Sequence, residues 1–285
     1  MQGTRMTLLV GLLLLTAQLA ADKPTLPGQQ LEALKKEVKT ARVEFSQAYK
    51  MAKTDQERQK LRDKKNKEFK ACARRALELA QKHPKDPAAV DALSWIIAGG
   101  LGWGGDGAEI ETAYDLLRKD YVTSDRLEHA CSVALAYQSV STKPERLLRD
   151  VIEKNPHHAM QAWARFSLAR VLRQKASMSK MVRDQQQRLP RSADADDSKP
   201  NKGNDPDKLS KEAEDLLKSV VSKYGDVKSS PGTLGELAKA MLFEMRYLVV
   251  GKVAPEIEGE DIDGKRFKLS DYRGKVVVLD FWGHW

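Results

Sequence analysis

Cysteine is scarce: the 285-residue chain holds two, Cys72 and Cys131. They form no Cys-x-x-Cys pair, and each lies in an apolar helical setting, Lys70-Ala71-Cys72-Ala73 and His129-Ala130-Cys131-Ser132. The expectation is two small buried thiols, with a structural bridge between neighbouring helices as the other outcome; neither reads as catalytic. Aromatics make up 6% of the chain, which fits a helix-rich protein better than a β-sandwich. His129, His157-His158 and His284 lack ligand spacing, so no metal and no cofactor is expected. No nucleophile elbow is present, which removes the main support for a serine hydrolase. The glycine-rich stretch from Gly99 to Gly107 has no preceding strand and no Lys-Ser/Thr ending. It is therefore a helix connection and not a phosphate loop.

Apolar residues make up 41% and charged residues 31%, an ordinary soluble balance. The length suits one large or two modest domains. The 49 basic residues stand among 40 acidic ones, for a net charge of +9. No recognition motif accompanies that bias, so no nucleic-acid partner is expected. The N-terminus reads differently. Arg5 precedes the apolar run Met6–Leu15, and the small residues Thr16, Ala17, Ala20 and Ala21 follow. This is the grammar of a secretory signal peptide over residues 1–21. Gln18 and Leu19 stand where small residues are preferred, so an uncleaved anchor is the alternative and the one expected membrane contact. The location implied is exported: periplasmic or otherwise extracytoplasmic.

From residue 22 to 250 the pattern is helical. Leu31, Leu34, Val38, Val43 and Phe45 recur among charges from Gln29 to Met51. A long, highly charged helix or helical hairpin follows over Asp55–Lys82. His83-Pro84-Lys85-Asp86-Pro87 ends it, with Asp86 as N-cap and Pro87 at the first position of the next helix. Further helices are expected over Ala108–Lys119, Ser124–Ser139, Pro144–Lys154 and His157–Lys175. Lys82-His83-Pro84 and Lys154-Asn155-Pro156 close helices two repeats apart, and Leu116–Tyr121 closes one midway. A spacing near 36 residues predicts stacked, TPR-like helical hairpins. Residues 177–207 offer almost nothing apolar and are expected to be a disordered insertion. Arg146–Asn155 is echoed by Glu214–Tyr224, so the array resumes after the insertion.

At Gly251 helical periodicity gives way to strand patterning. Asp263-Gly264, between Ile262 and Phe267, is a hairpin turn signal. Lys275–Trp282 is a nearly continuous apolar run, the pattern of a strand buried on both faces of an α/β sheet. Such a strand needs neighbours that these residues do not supply.

The stretch Gly251–Ile257, then Asp263-Gly264-Lys265, then Leu269–Trp285 closely resembles the start of redoxin domains. These are the thioredoxin-like thiol–disulfide oxidoreductases and thiol peroxidases of the TlpA and alkyl-hydroperoxide-reductase type. The resemblance implies a mainly α protein whose TPR-like helical repeats lead into the first strands of a truncated α/β thioredoxin-like domain over residues 251–285. It implies that the Phe281-Trp282 strand end is followed by a turn and a Cys-x-x-Cys helix N-terminus, whose thiolate attacks disulfides. Trp285 matches the tryptophan just before that first cysteine. Asp280 matches the buried acid that helps move protons for the resolving cysteine, and a burial-raised pKa follows for it. Trp282 is the third family-matched neighbour, and no catalytic residue is present in the chain itself. The implied partners are protein thiols or disulfides, or a redox partner protein. Three readings of the position after Trp285 stand open: an incomplete sequence, a nonsense change, or a selenocysteine codon read as a stop. The competing class is a TPR-like interaction scaffold without catalysis.

Overall fold

The computed structural model describes residues 26–99, 107–137, 141–188, 205–230, 232–280 and 282–283. The expected signal peptide, most of the glycine-rich stretch, much of the expected insertion and Trp285 lie outside them. The chain is mainly α and divides into two units, Met1–Lys175 and Ala176–Trp285. The division falls earlier than the change of patterning at Gly251.

The first unit opens with α1, Pro27–Met51, and α2, Asp55–Lys82. The turn between them is set by a capping box. Thr54 accepts from the Glu57 backbone N–H, and the Glu57 carboxylate accepts from the N–H groups of Lys53 and Thr54. These donors have no partner inside a helix, so their satisfaction fixes where α2 starts. Helix α3, Pro87–Gly99, begins as its sequence requires, with the Asp86 side chain accepting from Ala88 N–H at 2.8 Å. Apolar residues surround α3, and Ala89, Ala92, Leu93 and Ile96 are fully buried. Small alanines there and at Ala73, Ala76 and Ala113 let neighbouring helices approach closely.

Next come α4, Ala108–Asp120, the short α5, Glu128–Ser132, and a 3-10 turn at Ala134–Ala136. The continuous helix expected over Ser124–Ser139 is therefore replaced by a turn and two short pieces. The Ser124 carbonyl, which would open that helix, instead accepts from the Asn155 side chain at 2.8 Å. Then follow α6, Lys143–Lys154, and α7, His158–Arg188. Helix α7 runs past Lys175 to Arg188, so residues 177–188 of the expected disordered segment are helical. The charges of Lys180, Arg183 and Asp184 suit an exposed helix as well as a loop.

Polar links join equivalent positions of successive helix pairs. Arg74 meets Glu109, Arg126 meets Asp91 and Arg118 meets Asp150, at separations of 35, 35 and 32 residues. Asn155 is buried at 3% exposure and links two turns. Its amide donates to the carbonyls of Val122 and Ser124, and its oxygen accepts from His157 N–H. Gln161 donates to the carbonyls of Val151, Ile152 and Asn155, satisfying the open end of α6.

In the second unit, α8, Pro206–Lys223, packs against α9, Leu234–Tyr247. Ala213, Leu217, Val220, Leu234, Ala238 and Leu242 are buried. Gly225 and Gly235 bring the backbones together: a Cβ on Gly235 would lie 2.7 Å from Gly225 Cα. Arg246 binds Glu214 at 2.6 Å, and Thr233 and Glu236 form a second capping box. The described sheet has two strands, β1 (Glu258–Glu260) and β2 (Arg266–Lys268), and a 3-10 turn follows at Leu269–Tyr272.

Candidate functional site

Strands β1 and β2 pair antiparallel, with Glu258 opposite Lys268 and Glu260 opposite Arg266. Both cross-strand pairs are ion pairs, at 2.7 and 3.4 Å. The turn is organised by Asp261, whose carboxylate accepts from the N–H groups of Asp263 and Lys265 at 3.0 and 2.8 Å. Gly264 takes the positive φ, +75°, that this turn requires. Sequence reading identified Asp263-Gly264 but missed Asp261; the short acidic side chain two residues before Asp263 is the Asx-turn signal that marks it. Ile262 sits at the tip, fully exposed.

A second set of contacts folds the ends of the hairpin inward. Leu269 N–H donates to the Ile257 carbonyl, and Ser270 N–H donates to the Glu256 carboxylate at 2.9 Å. Hydrogen bonds from the Ser270 side chain first, then from the Ser270 backbone N–H, hold the Glu256 carboxyl below the usual carboxylate range. Ile257, Phe267, Leu269, Tyr272, Val277 and Leu279 line an apolar hollow of about 150 Å³. Phe267 and Tyr272 meet edge to face at 6.4 Å.

Val276–Asp280 does not form the expected strand. Val276 is 97% exposed, Val278 86% and Trp282 76%. Only Val277 and Leu279, on the alternate face, turn toward the hollow. The alternation is that of a strand, but a strand exists through its ladder, and no neighbouring strand is present among the described residues. Asp280 is exposed as well and not buried. The two-strand hairpin does not cover it. Asp280 and Trp282 thus stand on one exposed segment, and no catalytic group is assembled around them among the described residues.

The two cysteines are free and buried, so the expected thiols are present and no bridge links them. Burial, then the hydrogen bond donated to Glu37 at 3.4 Å, pushes the Cys72 thiol up to about 11. Burial pushes Cys131 up to about 12. Both are the reverse of an activated thiol. Among the described residues no cluster of His, Cys, Asp or Glu could hold a metal, and no helix is long and apolar enough to cross a membrane.

Comparison with known proteins places the C-terminal segment. Residues 250–285 match the AhpC/TSA family. The thiol–disulfide oxidoreductase ResA of Geobacillus thermodenitrificans is 45% identical over 42 residues, covering 15% of this chain and 24% of that protein. Residues 250–285 are redoxin-like in sequence. ResA of Geobacillus kaustophilus is 48% identical over 42 residues, with the same coverage, and ResA of Bacillus subtilis 54% identical over 35 residues, covering 12% and 20%. The chain spans about a quarter of the length of these curated relatives. No solved structure matches significantly. The redoxin segment accounts for the hairpin, the hollow and the Val276–Trp282 run. The family match leaves the helical region before residue 250 uncovered.

Proposed function

We propose that the chain belongs to an exported thiol–disulfide oxidoreductase or thiol peroxidase of the thioredoxin-like superfamily. The redoxin segment would feed the redox site, and protein thiols or disulfides would be its substrates. The observation that carries this reading is the redoxin match over 250–285, at up to 54% identity to proteins named as thiol–disulfide oxidoreductases. The burial of Cys72 and Cys131 supports a nucleophile supplied from outside the 285 residues, because neither thiol is ionised or accessible at neutral pH. Export is supported by the Arg5, Met6–Leu15 and Ala20-Ala21 pattern.

The test has two arms. The 285-residue chain is assayed for disulfide reduction with insulin and for peroxide consumption with a thiol donor, and no turnover is expected. A form extended by the coding sequence downstream of Trp285 is expected to turn over one of these substrates. Turnover by the short form abolished by Cys72→Ser overturns the assignment, as does an extended form with neither cysteine nor selenocysteine beyond Trp285.

A second reading, a TPR-like scaffold that presents partners to the redox site, is favoured by the polar links of Arg74, Arg118 and Arg126 at separations of 32 to 35 residues. It is compatible with the first. Pull-down with the helical surface charges intact but the redoxin segment inactive distinguishes binding from turnover.

A further inference from the structure

The charge of the chain is concentrated in one place. Between Pro27 and Lys82 stand sixteen Lys and Arg against eight Asp and Glu, a surplus of eight in a chain whose net charge is +9. This is the α1–α2 hairpin. Its base is buried, at Leu31, Leu34 and Val38 on α1 and from Phe69 onward on α2. From Lys39 to Glu68 no residue is buried. At 1.5 Å per residue, each arm of this exposed part is about 20 Å long.

Arginine and lysine divide the work within it. All five arginines are engaged by the protein. Arg42 lies over the Phe69 ring at 5.5 Å, and Arg58 and Arg62 lie over Tyr49 at 5.9 and 5.8 Å. Arg74 pairs with Glu109 and Arg75 with Glu37, both at 2.8 Å. The contacts of Arg42, Arg58, Arg62 and Arg75 hold the two helices together where few aliphatic side chains do, and Arg74 ties α2 to α4. Lys36, Lys39, Lys50, Lys53, Lys60 and Lys67 are exposed and have no ion-pair partner among the described residues. The surface offered to a partner is therefore made of flexible point charges. The planar forks that recognise phosphate in a fixed bidentate geometry are turned to internal use.

We propose that the α1–α2 hairpin is a peripheral docking surface for an anionic phospholipid bilayer. Dispersed lysines on two exposed helices fit a fluid surface whose charges have no fixed spacing. The approach of the chain favours lipid over other polyanions: Met6–Leu15, the one long apolar run in the sequence, shortly precedes α1. On the export reading proposed above, that segment engages the bilayer and brings the root of the hairpin to the lipid surface. The inference does not depend on the redox reading, and its test involves no thiol chemistry.

The experiment is vesicle co-sedimentation of the full chain, with phosphatidylcholine alone or with one-third phosphatidylglycerol. Binding is expected to require phosphatidylglycerol and to fade between about 0.05 and about 0.5 M salt as screening shortens. A lysine near an anionic surface contributes about a fivefold gain in affinity. The combined variant Lys50→Gln, Lys53→Gln, Lys60→Gln and Lys67→Gln is expected to bind at least about 25-fold more weakly, with two of the four facing lipid at once. Should that variant fail to fold, Glu44→Lys is expected to tighten binding at least about fivefold. Equal binding to both vesicle types, unchanged binding by the folded variant, or an unaltered Glu44→Lys affinity overturns the proposal. Tighter binding to duplex DNA than to vesicles at equal phosphate concentration also overturns it.

Discussion

Replacing Asn155 by Ala tests whether one buried amide joins successive helix pairs. Asn155 is 3% exposed and sits where α6 turns into α7. It makes three hydrogen bonds: to the Val122 carbonyl at 2.7 Å, to the Ser124 carbonyl at 2.8 Å and from His157 N–H at 2.9 Å. Each such bond contributes about 0.5–1.5 kcal/mol net, and groups left buried without a partner cost more. Val122 and Ser124 are partly exposed, so water can recover part of the loss. The expected destabilisation is about 2–3 kcal/mol, from summing the three bonds less this recovery. In a unit of this size that lowers Tm by roughly 4–12 °C. Asn155→Asp sharpens the test. A carboxylate keeps the acceptor for His157 but turns negative oxygens toward two carbonyls, so Asp is expected to be at least as damaging as Ala at pH 7. The exposed neighbour Glu153→Ala serves as control, with a change within about 0.5 kcal/mol. Melts followed by far-ultraviolet circular dichroism supply the readout. The reasoning is refuted if Asn155→Ala matches the control, or if Asn155→Asp is as stable as the parent.

Three further outcomes are expected. Cys72 and Cys131 should react with a thiol reagent more than about a hundredfold slower in the native protein than in denaturant at pH 8, because values of about 11 and about 12 leave almost no thiolate; native reaction as fast as free cysteine counts against the packing. Gly235→Ala should cost about 1–3 kcal/mol in chemical denaturation, since its Cβ would meet the Gly225 backbone at 2.7 Å and backbone cannot swing aside. Stability should fall in acid through two carboxylates. Burial opposes ionisation of Glu145, but hydrogen bonds from Lys175 and Arg149 outweigh it, while Arg246 and Lys218 lower Glu214. Their contribution is therefore complete above the unfolded carboxyl value of about 4.3 and lost as pH falls through the lower folded values. Tm should be flat from pH 7 to about pH 5.5 and decline below, and Glu145→Gln should flatten that decline.

Much of the helical architecture is legible in the sequence because its determinants are local. Thr54 with Glu57, Asp86 with Pro87, and Thr233 with Glu236 place helix starts through donors a few residues away. The segment after Tyr121 was misread because its determinant is distant. Nothing near Ser124 announces that its carbonyl is claimed by an amide 31 residues on. The same distance hides the role of Arg74, Arg118 and Arg126, which read locally as solvated charge and in space as ties between helix pairs. The length of α7 exceeds the expectation for the opposite reason: low apolar content suggests a loop, although Lys, Arg, Gln and Met are good helix formers even where nothing covers them.

The candidate site shows where pattern and structure part. Val276–Trp282 carries the alternation and the composition of a core strand, and Val277 and Leu279 do turn inward to meet Ile257 and Phe267. The ladder is missing all the same. Composition records which environment a segment is suited to, whereas hydrogen-bond pairing depends on other strands being there. The exposure of Val276, Val278 and Trp282 is therefore the physical counterpart of the comparison result. Side chains suited to the interior stand open on the very segment whose relatives are about four times as long as the matched stretch. The hairpin and its hollow are complete to the extent that Asp261, Glu256 and Ser270 can close them locally. The chemistry implied by the redoxin resemblance is not local in that sense, because it needs a nucleophile, a helix end and a covered acid at once. Asp280, which the resemblance matches to that acid, stands exposed.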